Sequence, residues 1–230
     1  MRPRGVARLL DTRPTGLQNY AVPADVVLPA TRDRLITAMT EALQRRGLHG
    51  IGLSELLKAA QAPKGVLYHH FPGGKTELAV AAIDAAVSAL GARMDTLLRR
   101  EADPVAALRA WLSGAQRQLE RTGFAAGCPL GTVALESTPE DTALRSALAR
   151  GFAALRERLA TVLLRAGMPA TRAPALAMLL VAAYEGALMQ ARVAGDGRAL
   201  SEASDTLLDI VARELREAHV NPRRHGPETA

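Results

Sequence analysis

From Thr31 to about residue 218, leucine, alanine, valine and methionine return every three or four residues, interrupted only by short breaks rich in glycine and proline. That spacing lines apolar side chains along one stripe of an α-helix, whereas a strand facing a core needs a period of two. Aromatic residues make up only 3% of the chain, and Ala, Leu and Arg dominate. Those types lose little side-chain entropy in a helix. The expected fold is therefore all-α. With 230 residues, 48% of them hydrophobic, the chain can bury one large or two small cores.

The breaks divide the chain into about nine helices. Thr31 is expected to cap the first, which carries Leu35, Met39 and Leu43 and stops at Gly47. Two short helices follow, Leu53 to Ala60 and Lys64 to His70, separated by Gln61-Ala62-Pro63. Lys75 opens a long one after Phe71-Pro72-Gly73-Gly74. Asp103-Pro104 is a cap followed by proline at the first helical position, and this helix runs to Gly123. A short helix ends near Glu136, and Ser137-Thr138-Pro139-Glu140 is expected to start the next. A very apolar helix spans 172–193, and Ser201 is expected to cap the last. Residues 1–30 hold four prolines and scattered arginines without an apolar period, and read as a flexible arm; 221–230 read as a loose tail.

Charge is distributed unevenly. Residues 1–76 carry 11 Lys and Arg against 5 Asp and Glu, while residues 77–230 carry 18 of each, so the whole net charge of +6 sits in the first third. A basic module joined to a neutral one fits a polyanion binder, because neutralised phosphates supply most non-specific nucleic-acid affinity. Within that third, LSELLKAAQAPKGVLYHHF at residues 53–71 has the layout of a helix-turn-helix, in which the second helix enters the major groove. Leu67 and Phe71, four residues apart, are expected to face the core. Lys64, Gly65, Val66, Tyr68 and His69 are left to face DNA. Gly65 lets the groove wall approach; Val66 can touch a thymine methyl; Lys64 can reach guanine acceptors or phosphate; Tyr68 suits a phosphate.

The stretch APKGVLYHHFPGGKTEL at residues 62–78 resembles the TetR (tetracycline-repressor) family of regulators, and GCPLGTVALE at residues 127–136 resembles its LmrA/YxaF-type branch. The family's recognition helix reads K-G-x-L-Y-x-H-F with a lysine opening the next helix, matched by Lys64, Gly65, Leu67, Tyr68, His70, Phe71 and Lys75. The resemblance implies an N-terminal reading domain at 31–76 and a C-terminal ligand-binding and dimerisation domain at 77–220. It implies that Tyr68 and Lys75 clamp phosphates, that Lys64 and Val66 contact base edges, and that Ser54 sits near the DNA. Thr31 can offer its backbone N–H to a further phosphate. Two positions depart from the pattern: Gln61 stands where the family has glycine in the turn, and Gly52 where a Ser or Thr cap is common.

Other features are open to more than one reading. Adjacent histidines on a helix point about 100° apart, so His69 and His70 do not make a metal pair, and no metal or cofactor is expected. The single cysteine, Cys128, excludes a disulfide framework and fits a reducing cytoplasm; it is either a small buried hydrophobe or a sensor. Trp111, Phe124, Cys128, Met178, Tyr184 and Met189 are candidates to line a cavity for an unknown small molecule, with Gln116, Glu185 and Gln190 as polar orienters. Glu185 stands out because an unpaired charge in an apolar helix is expensive. The small-residue faces of 172–193 and 201–218 suit a two-fold four-helix bundle between subunits, matching a palindromic operator. No catalytic triad, phosphate-binding glycine loop or metal cluster supports an enzyme, and a non-specific architectural DNA binder has no need of the neutral C-terminal part. The apolar run at 175–184 looks too short to span a bilayer, and the N-terminus lacks an export signal's apolar core.

Overall fold

The computed structural model describes residues 30–220, and within them the helical period is realised as nine α-helices without a strand. They are α1 (Thr31–Arg46), α2 (Leu53–Ala59), α3 (Lys64–His70), α4 (Gly74–Arg100), α5 (Pro104–Arg121), α6 (Pro129–Glu136), α7 (Thr142–Arg165), α8 (Ala173–Ala194) and α9 (Arg198–Val220). The expected arm, apart from Ala30, and the expected tail lie outside the described residues.

Two apolar clusters organise these helices. The first gathers Leu35, Met39 and Leu43 of α1, Leu56 and Leu57 of α2, Leu67 of α3, Phe71, and Leu78, Ala82 and Ile83 of α4, and continues to Leu130 and Val133 of α6 and Leu148 of α7. The second joins Met94 of α4 to Trp111 of α5, Leu159 and Leu163 of α7, Leu176 and Leu180 of α8, and Leu208 and Val211 of α9. Helix α4 thus contributes its first half to one cluster and its second half to the other. Each fully buried leucine removed from water stabilises the fold by about 1.5–3 kcal/mol, so helices α1 to α3 are anchored to the rest through a shared, packed rod.

Local signals place most helix ends, with three corrections. Asp103 accepts a hydrogen bond from the Val105 N–H (2.9 Å), as a cap followed by Pro104 requires. Thr31, by contrast, is the first helical residue; Ala30 occupies the cap position, and the Thr31 hydroxyl accepts from Arg34 Nη2 instead (3.2 Å). Ser137 to Glu140 do not open α7: the Asp141 carboxylate holds the Thr138 N–H and hydroxyl (2.8 and 3.0 Å), making a turn that delays the helix to Thr142. Nor does Ser201 cap α9, which begins a turn earlier where Asp196 accepts from the Arg198 N–H (3.0 Å). At α7 and α9 a carboxylate outcompetes the hydroxyl that local propensity favours. The apolar character of 175–184 also extends further than expected. Alanines and a glycine lengthen it, so α8 is long and apolar enough to cross a membrane by length and composition, although it packs here against α7 and α9.

The turn between α2 and α3 contains a left-handed residue, the conformation that glycine adopts most readily. Gln61 has φ 50°, the Gln61 N–H bonds to the Lys58 carbonyl (3.1 Å) and the Ala62 N–H to the Leu57 carbonyl (3.0 Å). This is a Schellman closure with its left-handed residue at Gln61. Arg34 of α1 braces it, donating from Nε to the Ala60 carbonyl at 3.1 Å.

The C-terminus of α1 is completed from a distance. Its late carbonyls lack intrahelical donors; the Gln44 carbonyl accepts from the Gly127 N–H (2.8 Å) and the Arg45 carbonyl from Arg192 Nη2 of α8 (2.5 Å). Past Gly47, the Leu48 and His49 N–H groups donate to the Glu136 carboxylate at the end of α6 (2.6 and 3.2 Å). Gly47 has φ 74° and ψ −173°, and a Cβ there would overlap the Glu136 carboxylate.

Two outcomes follow for urea denaturation of the full chain. Gly47→Ala is expected to lose about 2 kcal/mol or more, since the backbone conformation suits glycine and the Glu136 contact is displaced. Gln61→Gly is expected to gain about 0.5–1 kcal/mol by relieving a left-handed conformation that a side chain disfavours.

Candidate nucleic-acid interface and ligand pocket

Helix α3 presents two unlike faces. Leu67 is fully buried and Phe71 is 2% exposed; both join the first apolar cluster, and the helix packs against α1 and α2. Lys64, Gly65, Tyr68 and His69 are exposed on the other side, Tyr68 by 47%, and Val66 is half-buried. A Cβ at Gly65 would meet nothing within 4 Å, so the protein's own packing makes no demand for glycine there. Ser54 is exposed in the first turn of α2, and Thr31 is half-buried at the start of α1. His70 is half-buried between His69 and Phe71, its ring 5.0 and 6.5 Å from theirs.

Lys75 is placed differently from its neighbours. Its Nζ donates to the Ile51 carbonyl (2.6 Å), tying the start of α4 to the loop before α2. Burial pulls its pKa below the usual lysine range, while the Glu136 carboxylate acts in the opposite direction. Arg32, exposed in the first turn of α1, lies 5.4 Å from the Phe71 ring centre. The Arg46–Glu55 ion pair (2.6 Å) links the end of α1 to α2. Both partners are exposed, and such pairs add little stability.

The nine candidate ligand residues do not converge on one cavity. Trp111 and Tyr184 pack at 5.4 Å between ring centres, among Leu90, Met94, Leu159 and Val181, and the space left there is about 20 Å³. That is close to the room one water needs, so these aromatics act as core. A larger pocket of about 270 Å³ lies between α6 and α8, lined by Cys128, Glu185 and Met189 from the candidate set, together with Thr132, Glu136 and Arg192. Gln116, Phe124 and Met178 line neither space. Gln116 donates to Glu120 (3.0 Å) on its own helix, Phe124 adopts φ 60° against the first cluster, and Met178 is exposed on α8. Gln190 is also exposed and lines a separate groove.

Within the larger pocket, Glu185 is not alone. The Cys128 thiol is hydrogen-bonded to its carboxylate, and a Cβ at Gly131 would crowd Glu185 Oε2. Burial pushes the Glu185 carboxyl above the usual range, with the Cys128 hydrogen bond opposing. Burial and the adjacent Glu185 push the Cys128 thiol well up, against a smaller opposing effect of the Gly131 and Leu130 backbone N–H groups. Tyr184 is raised too, mainly by burial. A thiol held neutral is a poor nucleophile, and the packing favours the buried-hydrophobe reading of Cys128 over the sensor. No group of three or more His, Cys, Asp or Glu that could hold a metal occurs among the described residues.

Sequence reasoning missed Glu136 and Arg192 as site residues. Their partners lie 88 and 147 residues away, and no local pattern marks such a pairing.

Comparison with known proteins places this geometry in a family. Residues 35–82 match the model of bacterial regulatory proteins of the tetR family, and residues 104–206 match the C-terminal domain of LmrA/YxaF-like transcriptional regulators. A helix-turn-helix transcriptional regulator of Mycobacterium tuberculosis is 33% identical over 190 residues, covering 80% of this chain and 92% of that one. The Bacillus subtilis regulator LmrA is 27% identical over 183 residues, covering 80% and 97%. Among solved structures, a TetR regulatory protein from Rhodobacter sphaeroides superposes with a TM-score of 0.70 at 28% identity, covering 78% of this chain and 97% of that one. The reduced form of NemR from Escherichia coli superposes at 0.65 with 26% identity, covering 77% and 94%. The chain belongs to the TetR family of DNA-binding transcriptional regulators, with a C-terminal domain of the LmrA/YxaF-like type.

Proposed function

We propose that this regulator is a homodimeric repressor in the cytoplasm that binds a palindromic operator and leaves it when a small molecule occupies the C-terminal helices. Residues 31–76 read the DNA; residues 77–220 hold the ligand and the dimer contact. The observation that carries the reading is the outer face of α3, where Lys64, Gly65, Tyr68 and His69 are exposed and Gly65 is free of any internal packing constraint. A glycine whose side the protein leaves open is suited to close approach by a groove wall. Lys64 and Val66 are assigned to base edges. Tyr68 and Lys75 are assigned to phosphates, Lys75 by exchanging or sharing its bond to Ile51, since an ammonium has three donors. Ser54, His69 and the Thr31 N–H complete the contact set.

Dimerisation through α8 and α9 is supported by the exposed apolar side chains of α8, Met178, Leu179, Met189 and Val193. Contiguous apolar exposure on a soluble chain marks an association surface. A two-fold pair of reading helices requires half-sites about one helical turn apart. Ligand release is then a population shift, limited by the ligand's differential affinity for the two arrangements.

Selection of bound duplexes from a random pool, at low and near-physiological salt, is expected to recover a palindrome at both; no enrichment at either salt would refute the operator reading. In quantitative binding to that operator, Tyr68→Phe is expected to weaken all sequences alike by about 1 kcal/mol, the loss of one phosphate hydrogen bond. Lys64→Ala and Val66→Ala are expected to change the preferred base as well, by about 1–3 kcal/mol of discrimination. Leu179→Glu is expected to shift the chain from dimer to monomer in light scattering and to weaken operator binding in parallel; an unaltered dimer would move the interface elsewhere.

A further inference from the structure

Gln61 holds φ 50°, a region where a Cβ meets the backbone and glycine has no such clash. The turn requires that conformation whatever the side chain, because it is the Gln61 and Ala62 N–H groups that close α2 on the Lys58 and Leu57 carbonyls. Glutamine therefore gives the turn nothing that glycine would not. Nor does its side chain serve the fold elsewhere: Gln61 is exposed, and its amide has no hydrogen-bond partner among the described residues. Only its backbone carbonyl is engaged from another helix, by Arg34 Nη2 at 3.4 Å. A strained residue that the fold does not use points to a role outside the fold.

Its neighbours narrow that role. Along the chain Gln61 lies midway between Lys58 of α2 and Lys64, the first residue of α3; both lysines are exposed, and neither forms an ion pair among the described residues. Across the turn, Arg34 Nη2 stands between the Gln61 carbonyl (3.4 Å) and the Thr31 hydroxyl (3.2 Å), which puts Gln61 beside the first residue of α1. An exposed amide between Lys64 of the reading face and the N-terminus of α1, with unpaired ammonium groups on either side, fits a polyanion. The first residues of a recognition helix reach base edges. Gln61 precedes the cap residue Pro63 by two positions, which sets it back from the groove floor towards the phosphates that line the rim.

We propose that Gln61 is a further DNA-contact residue, its side-chain amide donating to a backbone phosphate at the rim of the groove that α3 enters. A side chain that strains the turn is then kept for affinity and not for stability. Such a contact carries no sequence information, since it is made to the phosphate and not to a base. The proposal rests on the reading of the outer face of α3 as the DNA-reading face.

The test uses the full chain and fluorescence anisotropy on two labelled duplexes, the selected operator and an unrelated sequence of the same length, together with urea denaturation of each variant. Gln61→Gly is expected to be more stable than the unaltered chain and yet to bind both duplexes about three- to tenfold more weakly, the loss of one hydrogen bond. A side chain that served the fold would move stability and affinity in the same direction. Gln61→Ala keeps the Cβ and the strain but lacks the amide, and is expected to lose affinity by a similar factor. Gln61→Lys is expected to recover binding and to steepen the slope of log affinity against log salt by about 0.9, one more neutralised phosphate. Undiminished affinity in both Gln61→Gly and Gln61→Ala overturns the contact. So does a loss in Gln61→Gly alone, which assigns the effect to a loosened turn, and so does a loss confined to the operator with a changed preferred base, which assigns it to a base edge. Lys64→Ala in the same assay separates the two readings. Weaker binding by Lys64→Ala with undiminished binding by the Gln61 variants refutes the Gln61 contact and leaves the α3 face standing; undiminished binding by all of them refutes both.

Discussion

Every α-helix ends in carbonyls that its own backbone does not satisfy, and in this protein the end of α1 is finished by groups from far along the chain. Gly127 and Arg192 supply the missing donors to Gln44 and Arg45, and Glu136 receives the Leu48 and His49 N–H groups beyond Gly47. Leu48 is buried, and a buried backbone group left without a partner costs about 1–3 kcal/mol, whereas the bonds at Arg45 and His49 are exposed and add less. They also have direction. An apolar interface tolerates small slides, whereas hydrogen bonds at α1 tie the reading helices to α6 and α8 at defined points.

The recognition helix depends on that frame. A seven-residue helix such as α3 is too short to persist alone in water. Leu67 and Phe71 seat it in the first apolar cluster, Arg34 braces the turn before it, and the left-handed Gln61 closes α2 so that α3 leaves at the required angle. The face left outside is consequently presented on a rigid support. Helix α4 carries the same rigidity onward, since its two halves belong to different clusters.

In the C-terminal part, packing has separated two roles that resemble one another in composition. Trp111 and Tyr184 fill the second cluster and leave almost no free volume, while the smaller and more polar residues near α6 leave a pocket of about 270 Å³. Glu185 stands between them. Its carboxylate is tolerable in an apolar helix because Cys128 donates to it and Gly131 has no side chain to obstruct it, a local solution to the cost of burying an ionisable group.

The sequence by itself determined the helical class, most helix boundaries and which residues of α3 lie on its exposed face. These rest on short-range rules: apolar period, proline and glycine breaks, and the four-residue separation that places Leu67 and Phe71 on one side and exposes Lys64, Tyr68 and His69 on the other. Even the misplaced starts of α7 and α9 are local contests, won by Asp141 and Asp196 over neighbouring hydroxyls. Tertiary structure alone decided which residues of the C-terminal part form a pocket and how that pocket meets the DNA-reading helices. Trp111 and Met178 look alike to a composition argument, yet one is core and the other exposed. Glu136 and Arg192 carry no mark in the sequence, because the backbone groups they satisfy are brought to them only when α1, α6 and α8 pack. Which donor finds an unpaired carbonyl across 147 residues is a property of the folded chain, where the packing of the helices brings the partner within reach.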